Sequence, residues 1–482
     1  MKPFVVQKFG GTSVGTAERI ANVAQIISES ANQFKPVVVV SATSGTTKVE
    51  GTTSLLLEAI ESAVEGGDFE SVLVLIHRNH LGLIKASFRT TTDPSFEAEA
   101  RNFLEEVCLE AQRTLSNVRK SRRCPPKDKD LVLAVGERLS AKILSVILNS
   151  RGTLAKFIDL SKIVKGNIAE LTRPVLDLLR TELAATVLEL TEIPVITGFF
   201  GPLQGGILHT VGRGYSDFTA ALIASGLGQS AVAEMQVWKE VDGVFTADPR
   251  KVPNAKVLSQ MSGKEAAEIT FFGSEVIHHF TMEQVMNERI PLRVKNVLRP
   301  EGNGTLITPE LMTRKQEPAA VTGKKGVTVF MISSHKMVNV SGFLASVFDV
   351  FRRHKIVIDL VSTSEAGVSC TINQLQHIEF ALPELRTLGE ITLTTNRAIL
   401  SLVGDGVTKI IGAAGAMLNV VSEVTNEIDM ITQASTNVNI SCVIPEKHLE
   451  AALIAVHSLF FENSVSKIRV DQVPQRKQLL AT

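Results

Sequence analysis

The sequence predicts an α/β fold, an open and mostly parallel sheet flanked by helices, followed by two smaller α+β modules. Three observations carry this. Over the first three hundred or so residues, short β-rich runs alternate with helical patterns, the signature of stacked βαβ units. Between residues 308 and 325 the composition shifts to Pro, Thr, Lys, Gln and Gly, which reads as a linker. Beyond it the chain repeats. Gly342 and Gly412 stand 70 residues apart, as do Asp359 and Asp429, and Val368-Ser369-Cys370 lies 72 residues before Ile440-Ser441-Cys442.

The predicted strands of the first region are Phe4–Lys8, Pro36–Ala42, Asp130–Val135, Pro194–Thr197 and Ala233–Trp238. A helical pattern opens near Thr16. Another covers Arg138–Ser150, where Leu139, Ile143, Leu144, Ile147 and Leu148 form one apolar stripe. An Ala-rich helix follows at Phe218–Ala224. In the repeat, each glycine precedes a helix, with Phe343, Leu344, Val347, Val350 and Phe351 as the apolar face of one and Met417, Val420, Val421 and Val424 of the other. The expected domains are therefore 1–307, a linker at 308–325, and modules at 326–400 and 401–470.

Composition narrows the function classes. Fifty Lys+Arg balance fifty Asp+Glu, with no long charged run, which argues against nucleic acid or an anionic membrane as partner. Four cysteines without C-x-x-C spacing argue against a zinc ribbon or a disulfide framework and suit a reducing compartment. Apolar runs fall short of a membrane span, and Phe4-Val5-Val6 already reads as a strand, so no leader is expected. These features predict a cytoplasmic protein.

Four segments can carry chemistry. Lys8-Phe9-Gly10-Gly11-Thr12-Ser13 follows a strand and opens a helix, so its glycines let backbone N–H groups approach a phosphate beside a lysine charge; a tight turn is the plain alternative. Gly212-Arg213-Gly214-Tyr215-Ser216-Asp217 precedes a helix, with Arg213 suited to bidentate carboxylate recognition and Ser216 and Asp217 in the cap or first turn. Two cationic loops in one domain suggest two anionic ligands. The run from Trp238 to Arg250 ends a strand in a charged turn, the crevice position of α/β sheets. Glu137, read as following the strand Asp130–Val135, could hold an ammonium group or simply favour a helix start.

Together with Thr197-Gly198-Phe199-Phe200-Gly201, these segments in this order resemble aspartate kinases, members of the amino-acid kinase superfamily. Glu50-Gly51-Thr52-Thr53-Ser54, Gly212-Arg213-Gly214-Tyr215, Gly273-Ser274-Glu275-Val276-Ile277-His278 and Arg293-Val294-Lys295-Asn296 look most like the fungal monofunctional type. The tandem repeat resembles paired ACT regulatory modules. The resemblance implies transfer of the γ-phosphoryl group of MgATP to the side-chain carboxylate of L-aspartate, with Mg2+ arriving with ATP. That is the entry step to threonine, methionine and, in some organisms, lysine. Other amino-acid kinases, or a catalytically weak ACT-based sensor, are the competing readings.

By position in the family motifs, Lys8 would bridge donor and acceptor, and Gly10, Gly11 and Ser13 would contact phosphate. Ser41 and Thr47 would lie near aspartate, with Glu137 on its α-ammonium, Arg213 on its α-carboxylate and Ser216 beside it. Asp217 would orient Lys8 or the acceptor. Lys239, Glu240, Phe245, Asp248 and Arg250 fall in the nucleotide-binding run, with Lys295 near the phosphates. His278 is a catalytic candidate, and His279 stands where proline is usual. Glu275 replaces the lysine of many bacterial members, a trait shared by the fungal type, leaving Lys239 or Lys295 to supply the charge. Asn339, Asp359, Thr363, Ser364 and Glu365 match the effector stretch of the first module, and Gln433 and Asn439 that of the second. Threonine is favoured over lysine as inhibitor. The small core of each module implies pairing into a homodimer or larger assembly.

Overall fold

The run Val37-Val38-Val39-Val40 is wholly buried, as expected of a parallel strand covered on both faces. In the computed structural model it forms β2 (Lys35–Val40), beside β1 (Phe4–Phe9), β3 (Ala155–Ile158), β4 (Ile193–Thr197) and β5 (Val232–Lys239). The structure describes residues 2–45, 51–163, 168, 170–201, 203–212, 214–271, 277–309, 317–333, 342–364, 367–373, 375–433 and 436–462. The chain divides into two units, Met1–Val244 with Ile277–Pro309, and Phe245–Val276 with Glu310–Thr482.

In the first unit the parallel strands run in the order β3-β4-β2-β1-β5, extended by Leu292–Asn296, parallel to β5, and then by Thr305–Thr308, antiparallel. Helix α1 (Ala17–Ser30) starts where the sequence predicts, capped by the Thr16 side chain accepting from the Arg19 N–H at 3.3 Å. It shares one core with α2 (Thr52–Glu65), α3 (Glu70–Ser87), α4 (Pro94–Ser121), α5 (Pro126–Ser150) and the β2 residues Val38 and Val40. Helix α6 (Arg173–Leu188) and the helices Tyr215–Leu227 and His279–Asn287 form a second group, of which Tyr215–Leu227 packs against β1, β2 and β5.

One expected strand is absent. Residues 130–135 belong to α5, which runs unbroken from Pro126, so Glu137 sits in mid-helix and not at a strand end. The physical reason is burial. Almost every residue of α5 from Val132 to Leu148 is enclosed, so the polar face that reveals a helix in sequence is missing, and Leu131-Val132-Leu133-Ala134-Val135 reads as a short apolar strand.

The second unit is built on a six-stranded antiparallel sheet in the order Ile358–Thr363, Gly367–Ile372, Ala320–Ser333, Glu390–Val403, Asn439–Pro445, Met430–Gln433. Its two long central strands serve both modules. Phe330 and Ile332 share a core with helices Phe343–Arg353 and Leu375–Leu385, whereas Val321 and Leu402 pack with Ala413–Val424 and Leu449–His457. The stretch read as a linker therefore ends as structure: Ala320–Lys324 pair with Ile399–Val403. Residues 245–276 cluster with this unit, and Ala247 and Val252 enter the core of the second module. Among the described residues no helix is long and apolar enough to cross a membrane.

Candidate active site

Parallel strands present all their carboxyl ends on one edge of the sheet, where loops converge. The loops after β1, β2 and β5 meet the N-terminus of helix Tyr215–Leu227 and the middle of α5 around a cavity of ≈ 330 Å³. Lys8, Gly10, Gly11, Ser41, Glu137, Ser216, Asp217, Lys239 and Glu240, all singled out from sequence, line it.

Close backbone approach explains two glycines. A Cβ on Gly11 would stand 2.1 Å from the Ala42 carbonyl oxygen, because the β1 and β2 loops are pinned by the Ser44 N–H donating to the Gly11 carbonyl at 3.0 Å. Gly214 has φ 101°, and a Cβ there would press on His278 at 3.2 Å.

The ionisable groups are concentrated at two points. Lys8 Nζ lies 2.5 Å from Asp217 Oδ1, with both side chains 8% exposed. Burial pushes the Asp217 carboxyl up, but the charges of Lys8 and Lys239, the hydrogen bond from Lys8 and the nearby His278 outweigh it and hold the group below its usual range. Ser41 Oγ and Ser216 Oγ are hydrogen bonded at 2.7 Å, joining the β2 loop to the helix start. Glu240 accepts hydrogen bonds from the Thr12 hydroxyl and, at 3.3 Å, from Ser13 Oγ, which places Ser13 behind the cavity wall. Lys295 lies 4.8 Å from the ring centroid of Trp238, itself a lining residue stacked on Phe9. Burial lowers the Lys295 pKa.

The second point is Glu137, 1% exposed. Burial pushes its carboxyl up to about 8, against the opposing influence of the Tyr215 hydroxyl, the Lys8 charge and the backbone N–H groups of Ala42 and Phe199. Its Oε2 atom is buried and has no well-formed hydrogen bond. A buried carboxyl oxygen without a donor, in the wall of a cavity, is a place for a ligand that donates hydrogen bonds or carries positive charge.

Other candidates are distributed differently. Thr47, Arg213, Glu275, Asn339 and Glu365 lie outside the described residues. His278 packs on Gly214 and contributes to the field at Asp217. Phe245, Asp248 and Arg250 belong to the second unit, where Asp248 binds the Arg250 guanidinium at 3.0 Å. In the second unit, both Asp359 oxygens accept from Lys324 Nζ at 2.9 Å, Asn439 is buried and donates to Glu268, and Thr363, Ser364 and Gln433 are exposed.

Sequence reasoning passed over Tyr215, Thr12, Thr53, Ser54 and Trp238 as lining residues. A usable signal existed for two of them. Tyr215 and Trp238 are the chain's only tyrosine and only tryptophan, and each sits inside a motif already singled out.

Comparison with known proteins agrees with the geometry. The Amino acid kinase family profile matches residues 3–296, and an ACT domain profile matches residues 400–460. An aspartokinase of Schizosaccharomyces pombe is 37% identical over 99% of this chain and 96% of its own length, and one of Saccharomyces cerevisiae 38% identical over 94% and 92%. Among solved structures, Escherichia coli aspartokinase III in complex with aspartate and ADP superposes with a TM-score of 0.76 at 27% identity, covering 95% of this chain and 100% of that one.

Proposed function

The chain belongs to the aspartate kinase family, of the fungal type, and on that premise we propose how its cavity works. The enzyme is an ATP-dependent kinase that phosphorylates a carboxyl group of aspartate. The observation that carries our reading is the cavity's two ionisable points, the Lys8–Asp217 ion pair and the buried Glu137 carboxyl.

The acceptor is the side-chain carboxylate, giving 4-phospho-L-aspartate. With an ordinary pKa near about 4, this nucleophile is already ionised at neutral pH and needs no general base. The protein's task is to position the reactants and neutralise charge. Glu137 receives the α-ammonium of aspartate, Arg213 its α-carboxylate, and the Ser41–Ser216 pair with Thr47 lies beside it. Lys8, held by Asp217 with His278 behind, spans donor and acceptor where negative charge accumulates. Gly10, Gly11 and Ser13 shape the phosphate cradle. Lys239 and Glu240 face the nucleotide, with Lys295 on that side; Phe245, Asp248 and Arg250 are nucleotide-binding candidates carried by the second unit. Magnesium enters with ATP as part of the substrate and neutralises charge on its phosphates.

The product feeds threonine and methionine synthesis, and in some organisms lysine synthesis, in the cytoplasm. The C-terminal modules bind an end-product amino acid, threonine in preference to lysine, around Asn339, Asp359, Thr363, Ser364 and Glu365 in one and Gln433 and Asn439 in the other. They pair between copies in a homodimer or larger assembly. An effector that binds the inactive arrangement more tightly inhibits by population shift.

Trapping the acyl phosphate as a hydroxamate, with purified protein, ATP and aspartate, tests the reaction; no product above background at saturating substrates overturns it. Separate titrations with threonine and lysine test the effector. Inhibition by threonine is expected, and inhibition by lysine alone reverses the assignment.

A further inference from the structure

Tyr215 occupies the first turn of helix Tyr215–Leu227, directly after Gly214, and is 6% exposed. Its ring packs edge-on against Phe199, with centroids 6.3 Å apart. Its hydroxyl faces the Glu137 carboxyl and the Thr53 side chain, and all three residues line the cavity. A buried phenol requires a polar partner, and here that partner is the Glu137 carboxyl, whose Oε2 atom has no well-formed hydrogen bond. Three loops thus converge on Glu137, contributing the Ala42 N–H, the Phe199 N–H and the Tyr215 hydroxyl.

We propose that Tyr215 is the positioning residue of the ammonium site: its hydroxyl, set by Thr53 and by the Phe199 ring, anchors Glu137 so that the unengaged oxygen is held for the α-ammonium of the amino-acid substrate. This deepens the reading given under Proposed function and rests on it. The charged and titratable groups facing Glu137 are Lys8 from β1 and Tyr215 from its helix, with Asp130 of α5 acting on Tyr215. Removing the phenolic hydroxyl leaves Lys8 and two backbone N–H groups to support the ionised carboxylate. The expected effect falls on recognition of the ammonium, not on phosphoryl transfer.

The test is Tyr215→Phe, with steady-state kinetics and a pH profile. A hydrogen bond to a charged group corresponds to a KM for aspartate raised about tenfold or more, while kcat falls by less than about threefold. The acidic limb of kcat/KM moves to higher pH, because the lost donor had favoured the ionised carboxylate. Preference for aspartate over succinate, which lacks the ammonium, shrinks. In a Glu137→Gln background the Tyr215→Phe change adds nothing, since its effect runs through Glu137. An unchanged KM and pH limb in folded Tyr215→Phe, or an undiminished effect in the Glu137→Gln background, overturns the proposal. Should Tyr215→Phe fail to fold by circular dichroism, Thr53→Val supplies the same readout: a smaller rise in KM is expected, and wild-type kinetics overturn it. Wild-type protein that makes no acyl phosphate from aspartate overturns the functional reading and this inference with it; turnover with an inert Tyr215 overturns the inference alone.

Discussion

Buried carboxylates occur in both units, and those in the cavity of the first are held differently from those of the second. In the second unit they are saturated. The Asp359 side chain, 1% exposed, takes both of its bonds from Lys324, and Glu265 accepts from the Ser262 and Asp405 N–H groups, each at 2.8 Å. In the catalytic cavity Glu137 keeps one oxygen unengaged and is pushed up to about 8, and the Lys8–Asp217 pair stands in the cavity wall. A fully satisfied buried charge specifies a structure, whereas an incompletely satisfied one marks a place for a ligand.

The sharpest way to break this contrast is Lys8→Ala. Loss of the cation that spans donor and acceptor is expected to lower kcat about a thousandfold, or about 4 kcal/mol, in the hydroxamate assay. The melting temperature falls as well, because Asp217 is left buried without its partner; Lys8→Ala combined with Asp217→Asn restores the melting temperature but not turnover. Near-normal turnover of folded Lys8→Ala removes it from the site.

Lys324→Met probes the structural side. Stripping Asp359 of its cation is expected to cost about 3 kcal/mol in a denaturant melt of the full chain. A stability equal to wild type means that Asp359 is not satisfied structurally.

Glu137→Gln comes next, with KM for aspartate raised by about 10- to 100-fold, the equivalent of about 2 kcal/mol. It also carries a stability signature. The folded carboxyl titrates at about 8 against an ordinary 4.5, so between those values the native state holds a proton that the unfolded chain has released. Wild-type stability contributed by this group therefore declines as pH rises from about 4.5 to 8, and the Gln variant lacks that decline. For the same reason, aspartate binding at pH 7 should release protons, seen as buffer-dependent heats in calorimetry. Equal heats in buffers of different ionisation enthalpy count against an ammonium on Glu137.

The smallest effect belongs to Thr246→Val. Thr246 Oγ1 bonds the buried His457 Nε2 at 2.9 Å and accepts from the Lys256 N–H at 2.9 Å, so two hydrogen bonds are lost, at a cost of about 1–2 kcal/mol in all. Thermal melts resolve that; a loss several times larger would mean that this contact organises the unit.

Much of the first sheet was legible. Val37–Val40 and the runs at β1, β4 and β5 are β-branched segments bounded by turn residues, and strands enclosed on both faces look like this in any sequence. Glycine loops after strands marked Gly10 and Gly11, and helix-start chemistry marked Ser216 and Asp217. Three features escaped. The buried helix α5 has no polar face, so its first half read as a strand. Residues 308–325 read as a linker from their composition, yet Ala320–Lys324 pair with Ile399–Val403, and composition alone does not separate a strand from a linker. Tyr215 looked like a filler between Arg213 and Asp217, since the partner that gives it meaning, Glu137, is 78 residues away in the chain.

The sequence by itself determined the chemistry available: a lysine beside two glycines, a Ser-Asp helix start, a mid-chain glutamate, and a doubled C-terminal unit. These are properties of residue type and spacing, which local backbone preferences translate directly. Only the tertiary structure decided which of those groups meet, and in what state of charge. The difference between Asp217, held low by Lys8, and Glu137, pushed up by burial, comes from desolvation and neighbouring charge, and both depend on which distant segments close around a carboxyl.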